Sequence, residues 1–218
     1  MSRYRLSTLL AIPSFILTAL VLASPSFAGA SASAEPATVP ETKMALRDLW
    51  VEHVFWIRSY VLANHAQDAT QARIAEAEVV ANAKALAGAI TPFYGQSASD
   101  ALFKLLAGHW DAIRDYNTAT LAQSTPGQDQ AVAALTQNAR EIAKFLSGAN
   151  PNLPEATVFG LLSTHGGHHV AQINQVNSGD FRNEAATWHE MRKHIVVISD
   201  AIADALAKQF PARFQDPS

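Results

Sequence analysis

The sequence predicts an all-α protein, an antiparallel up-down bundle of about six helices built as three helical hairpins of 56 residues. Three observations predict it. Alanine-rich stretches carry apolar residues with a 3.6-residue period, while few β-branched runs alternate with period two. Proline, glycine and asparagine breakers separate those stretches. A single polar residue, alternately His and Asn, stands at the centre of each apolar stripe at nearly constant spacing.

The helices are expected over roughly 41–65, 70–91, 98–123, 127–148, 154–178 and 183–209. The first carries Leu46, Leu49, Trp50, His53, Ile57 and Tyr60 on one face, following the i, i+3, i+4, i+7 rule for a core stripe. The second carries Ala75, Val79, Asn82, Leu86 and Ile90. Ser97-Ala-Ser-Asp100 fits a capping box for the third, whose stripe is Leu102, Leu105, Leu106, His109, Ile113 and Tyr116. Thr125-Pro126 supplies an N-cap and a first-position proline for the fourth, with Ala131, Leu135, Asn138, Ile142 and Leu146. Asn150-Pro-Asn-Leu-Pro154 precedes the fifth, with Val158, Leu161, Leu162, His165 and His169. The sixth carries Met191, His194, Ile198 and Ile202 and stops before Pro211.

From His53 through Asn82, His109, Asn138 and His165 to His194 the steps are 29, 27, 29, 27 and 29. Each hairpin therefore spans 56 residues, and seven positions from Ala45 to Tyr60 recur identically from Ala101 to Tyr116. Antiparallel helices with this spacing hold the marked residues near one level, as a polar layer inside the bundle. Such a layer has a structural reading, in which Asn–His bonds between helices satisfy buried polar groups and fix register.

The N-terminus reads as a secretory signal peptide over 1–28. Arg3 and Arg5 precede an apolar run from Leu9 to Leu22, and Ser26-Phe27-Ala28 offers a cleavage site. The run is too short for a membrane span and contains Pro13. Residues 29–40 read as a disordered lead, 41–210 as one helical domain and 211–218 as a frayed tail. The expected location is periplasmic or secreted, with no stable membrane anchor after cleavage. There is no cysteine, which excludes disulfides, thiolate metal sites and a lipidated N-terminal Cys. Without residues 1–28 the chain has 14 Lys+Arg against 19 Asp+Glu, a net charge of −5, and no basic stripe for nucleic acid.

The third hairpin departs from its sisters. Ile57 and Ile113 correspond to His169, and Trp56 and Ala112 to His168. His165 and His169 lie one turn apart on one face, a spacing at which two imidazoles can share a metal. Glu190 and His194 share that spacing on the following helix, so that His165, His169, His194 and Glu190 would form an N/O set for Zn, Cu, Ni or Fe. His109 and His53 are further ligands from the same level, and His168 sits off the stripe's centre. His65 and His189 fall off the core faces. Neither HExxH, GxSxG nor paired core carboxylates occur; Glu78 and Glu190 share a repeat slot, but Ala134 breaks the series. Metal sensing, buffering or delivery is the leading expectation. The alternatives are a non-catalytic bundle binding a small ligand or protein, with Trp50, Trp56, Trp110 and Trp188 lining a groove, and a metal-dependent hydrolase or transferase with Glu190 as base. Gly166 and Gly167 either permit close helix packing or loosen the helix around His168.

Thr164-His-Gly-Gly-His-His-Val-Ala-Gln-Ile173, followed by Gly179, resembles the HxxxH helix of the DinB/YfiT-like family. That resemblance covers about residues 100–180. It implies a four-helix bundle holding a divalent metal through three histidines, the separate one falling on His109. The whole mature chain also resembles an uncharacterised exported bacterial family. This likeness is carried by Leu49-Trp-Val-Glu-His-Val-Phe-Trp-Ile-Arg58, Ala89-Ile-Thr-Pro-Phe-Tyr-Gly95, Asn138-Ala-Arg-Glu-Ile-Ala-Lys-Phe-Leu-Ser147, Ala149-Asn-Pro151 and Gln209-Phe-Pro211, and it implies no activity.

Overall fold

The structure, a computed structural model, describes residues 37–215. The expected signal peptide at 1–28, residues 29–36 of the expected lead and 216–218 lie outside the described residues. The chain forms α1 (Val39–His65), α2 (Ala69–Gly88), α3 (Thr91–Tyr94), α4 (Gln96–Leu121), α5 (Thr125–Ala149), α6 (Glu155–Asn177) and α7 (Phe181–Gln209), then a 3-10 turn at Pro211–Arg213. Among the described residues, no helix is long and apolar enough to cross a membrane.

Six of these helices are long, and they pack antiparallel. Helix α1 lies on α2, α2 on α4, α4 on α5, α5 on α6, α6 on α7 and α7 back on α1. The ring closes, and α6 also touches α1 and α4 across its middle. The first helix of each hairpin thus turns inward. This arrangement places His53, His109 and His165 toward the centre, and leaves Asn82, Asn138 and His194 on the outer helices.

The three hairpin turns share one geometry. Gln67, Gln123 and Gly179, spaced 56 apart, have φ of 57°, 53° and 74°. At each, that residue's amide donates to the carbonyl three residues back, and the next amide donates to the carbonyl five back. The bonds are Gln67 to Asn64 and Asp68 to Ala63, then Gln123 to Thr120 and Ser124 to Ala119, then Gly179 to Val176 and Asp180 to Gln175. Free carbonyls at the helix end are satisfied in this way. Asp68, Ser124 and Asp180 then cap the next helix, accepting from the amides of Gln71, Gly127 and Asn183.

Several helix ends differ from expectation. Helix α1 begins inside the segment read as disordered lead, because Thr38 and Glu41 form a capping box. Ser97 to Asp100 lies within α4 and caps nothing. Gly95 at φ 82° breaks the chain between the single turn of α3 and α4, so the helix begins one residue before Ser97. The cap of α5 is Ser124 rather than Thr125, since Ser124 is the residue held extended by the turn. After the 3-10 turn, the Gln215 amide donates to the Ala37 carbonyl at 3.3 Å, and Phe214 stacks on Phe93.

The inward histidines divide the core. Toward the hairpin turns lie Ile57, Tyr60, Val61, Ile113, Tyr116, Ile173 and Val176. Toward the other end lie Leu46, Trp50, Leu86, Leu102 and Leu106, beside Ile142, Val158 and Leu162. Trp110 is also core, while Trp188 packs at the surface under the Arg58 guanidinium. The tryptophans therefore do not line a common groove.

Candidate metal centre

His53, His109, His165 and His169 converge at the bundle's centre. One nitrogen from each ring lies within 4.8 Å of all the others. Their exposures are 4%, 5%, 1% and 1%, so solvent does not satisfy them. Ligand nitrogens around a tetrahedral zinc, at ~2.0–2.1 Å from the ion, stand about 3.4 Å apart. An inward shift of each nitrogen by about 1 Å or less would bring the four into one coordination sphere.

Helix geometry explains the convergence. His53 and His109 sit mid-helix on α1 and α4, at equivalent points of two hairpins. The stripes Leu46/Trp50/Ile57 and Leu102/Leu106/Ile113 hold those faces against the core. His165 and His169 come from one face of α6, their Nε2 atoms 3.1 Å apart. The His165 ring stacks on His109 at 5.5 Å between centroids and lies 5.5 Å from His53.

Few of these nitrogens have protein partners. Both nitrogens of His53, Nε2 of His109, and Nδ1 of His165 and His169 are buried and unbonded. A buried polar group without a partner costs ~1–3 kcal/mol, so this is an unstable place to leave imidazoles unless something binds them. Their protonation follows from burial. Desolvation pushes the His53 imidazole down to about 3, with His109 as a second, repulsive cause. Desolvation pushes His109 down to about 4, opposed by its contact with Asn138. His165 and His169 are held well below the usual imidazole range, first by burial and then by their histidine neighbours. All four are neutral near pH 7, the form that ligates metals.

The other expected ligands stand elsewhere. His194 does not face the cluster; its Nε2 lies 2.8 Å from the Leu161 carbonyl. Asn82 and Asn138 make the same contact, donating to Leu49 at 2.9 Å and Leu105 at 2.8 Å. In all three the partner is the residue 33 positions earlier. Of the expected Asn–His bonding across the layer only the contact of Asn138 with His109 remains; the other bonds go to backbone, because the second lone pair of a helical carbonyl is available where the outer helix meets the inner one. Glu190 is exposed and paired with Lys193 at 2.9 Å. It points away because the ring places its face outward. His168 is half-buried, its ring 5.4 Å from His194, and its imidazole is held down by burial and by His194. His65 and His189 are exposed. The four imidazoles that converge come from three helices, α1, α4 and α6, and His194 and Glu190 of α7 stand outside that group.

Two further features bear on the centre. Gly166 packs against α5, where an added Cβ would stand 3.1 Å from Leu135 Cδ2, whereas Gly167 faces open space. Helix α6 runs unbroken through both, so close packing and not local loosening explains Gly166. Glu184, which sequence reasoning missed, is 2% exposed and accepts from Arg58 Nε and Nη2 at 2.6 and 2.8 Å and from Gln172 at 2.8 Å. The Arg58 bonds hold its carboxyl below the usual range. Its place seven residues before Met191, on the same helical face, is the signal that could have found it.

A closed ring of six helices with four converging histidines differs from the four-helix, three-histidine site implied by the DinB/YfiT-like resemblance. Both sequence resemblances rest on the residues quoted for them, since no protein-family model, curated protein or solved structure matches this chain.

Proposed function

We propose that this protein is an exported bundle that holds one divalent transition metal at the His53, His109, His165 and His169 cluster, in a sensing, buffering or delivery role. The observation that carries the reading is the meeting of four buried, neutral imidazoles, five of whose eight nitrogens have no hydrogen-bond partner. The donor set is all imidazole, which suits Zn, Cu, Ni or Fe and not hard cations such as Mg or Ca. A structural role accounts for Asn82, Asn138 and His194, each of which bonds a backbone carbonyl through a side-chain nitrogen, although the Oδ1 of both asparagines stays unbonded. It accounts poorly for the central four, where only the His165–His169 contact and the approach of Asn138 to His109 offer relief. Holding a metal, rather than activating water for hydrolysis, fits a cluster with no carboxylate in it.

The test is metal content. The purified protein lacking residues 1–28 is loaded with Zn, Cu, Ni and Fe in turn, dialysed, and its metal counted per chain. One equivalent of at least one metal is expected. The double variant His165→Ala/His169→Ala, checked for helicity by circular dichroism, is expected to retain none. Sub-stoichiometric uptake of all four metals by the unaltered protein would refute the reading, and equal uptake by the double variant would move the site elsewhere.

A further inference from the structure

On the side of the cluster away from the hairpin turns lies an interior cavity of about 50 Å³. His53, His109 and His165 form one wall, and His169 is not part of it. The remaining lining is apolar, including Trp50, Leu86, Leu106, Val158, Leu162 and Ile198. We propose that this cavity is a binding site for a neutral diatomic gas molecule, seated against the metal that the four histidines hold; the metal contact rests on the function proposed above.

Three features select that ligand class. The first is size. An apolar cavity of about 150 Å³ takes up benzene or xenon, so one of about 50 Å³ suits two or three heavy atoms. The second is polarity. A buried water needs two to four polar partners, and here every polar side chain sits on a single wall. Once those imidazoles bind a metal, little remains for water to bond. A small anion would have to shed its hydration shell against leucine and isoleucine, at a cost of several kcal/mol or more. The third is position. A metal drawn into the cluster stands between a tight core of Ile57, Ile113 and Ile173 and this chamber, so any coordination position left free opens toward the chamber.

The experiment separates the cavity from the metal. Xenon binding is measured by NMR on the metal-free protein, where it reads the cavity alone, and again with zinc bound, where the imidazoles leave little for a water to bond. Saturable xenon binding is expected, weakened at least about tenfold in Ala201→Val, which adds methyl groups to the lining without touching a histidine. Val158→Ile serves as a second filling variant should Ala201→Val fail to fold. The Fe(II)-loaded protein is then exposed to nitric oxide and examined by infrared spectroscopy. An N–O stretch shifted from the free gas is expected, with affinity reduced at least about tenfold in the filling variant. Absence of xenon binding would overturn the cavity site. Nitric oxide affinity unchanged by filling would overturn the seating in the chamber. Xenon binding with no uptake of iron would overturn the coordination to metal and leave a gas pocket alone.

Discussion

The third hairpin and the first two solve one packing problem with different residues. In all three, an inward helix brings a histidine to the centre and an outer helix bonds the carbonyl four residues before it. The outer residue is Asn82 or Asn138 in the first two hairpins and His194 in the third. One turn past the central histidine, the first two hairpins bury Ile57 and Ile113, each 1% exposed or less. The third buries His169 at the corresponding place. The first difference keeps a hydrogen bond and changes its donor. The second replaces an aliphatic side chain with a polar one that has no partner beyond its own neighbour. A framework need is met equally well by Asn or His at the outer position. It is not met by His169, and this asymmetry is what points to a ligand.

The sharpest way to break the comparison is to make the third hairpin resemble its sisters. His169→Ile restores the residue found at 57 and 113. Changes in the groups that merely support metal ligands already cost 10–100-fold in affinity, so loss of a ligand is expected to weaken metal binding by about 100-fold or more. The metal-free protein is expected to become more stable by ~1–3 kcal/mol, because an unsatisfied buried group gives way to an aliphatic one of fitting shape. Metal titration and urea unfolding of the same variant check the two halves. A structural histidine would give the reverse stability change, so a drop in metal-free stability would sink the ligand reading.

Acid should act on all three hairpins, through the same cluster. In the folded protein burial pushes His53 to about 3 and His109 to about 4, below the 6.5 of an unburied imidazole. Between those values the unfolded chain binds protons that the folded chain does not. Stability is therefore complete above about pH 6.5 and falls as pH drops toward 4. His109 alone contributes on the order of 3 kcal/mol to that fall. Urea midpoints measured from pH 7.5 to 4 on the metal-free protein check it, and bound metal should be released over the same window as protons compete for the rings. A midpoint that stays level down to pH 4.5 would contradict neutral burial of the cluster.

Within the third hairpin, the two adjacent glycines are expected to part company. Gly167→Ala adds a methyl group to open space on a continuous helix, and should stabilise by up to about 1 kcal/mol through helix propensity. Gly166→Ala places its Cβ against Leu135, whose side chain must give way, and should lose most or all of that gain. Thermal unfolding of the two single variants measures the difference. Equal stabilisation would show that α5 and α6 are not held in close contact there.

Much of the bundle was legible because its physics is local. Stripe periodicity and a polar residue every 29 or 27 positions require nothing beyond the chain itself, and they carry the helices, their order and the level of the histidines. The cap of α1 at Thr38 hid inside a Pro- and Ala-rich stretch that composition alone reads as disordered. The composition of the site was harder to read, because it depends on which way a helix face points around a closed ring. His165 and His169 share a face at any rotation of α6, so their pairing was legible. Whether His194 or His53 stands opposite them is decided by which helices turn inward, and the stripe on α7 satisfies the same periodicity in either orientation. Glu190 illustrates the cost of assuming that sequential neighbours share a site: α7 does pack on α6, yet its Glu190 face meets solvent.

The smallest expected effect tests the other half of the comparison. If His194 holds the place that Asn82 and Asn138 hold, His194→Asn should keep the bond to the Leu161 carbonyl and shift stability by less than about 0.5 kcal/mol, with metal content unchanged. His194→Ala leaves that contact unmade and should cost ~1 kcal/mol, close to the cost of Asn138→Ala, which removes the bond to Leu105. The three variants are compared by urea unfolding and by metal counting after dialysis. Loss of metal from His194→Asn would bring His194 back into the ligand set and place the site between α6 and α7. Retention of metal by all but Asn138→Ala would instead make Asn138 a support for the His109 ring, the imidazole it approaches most directly.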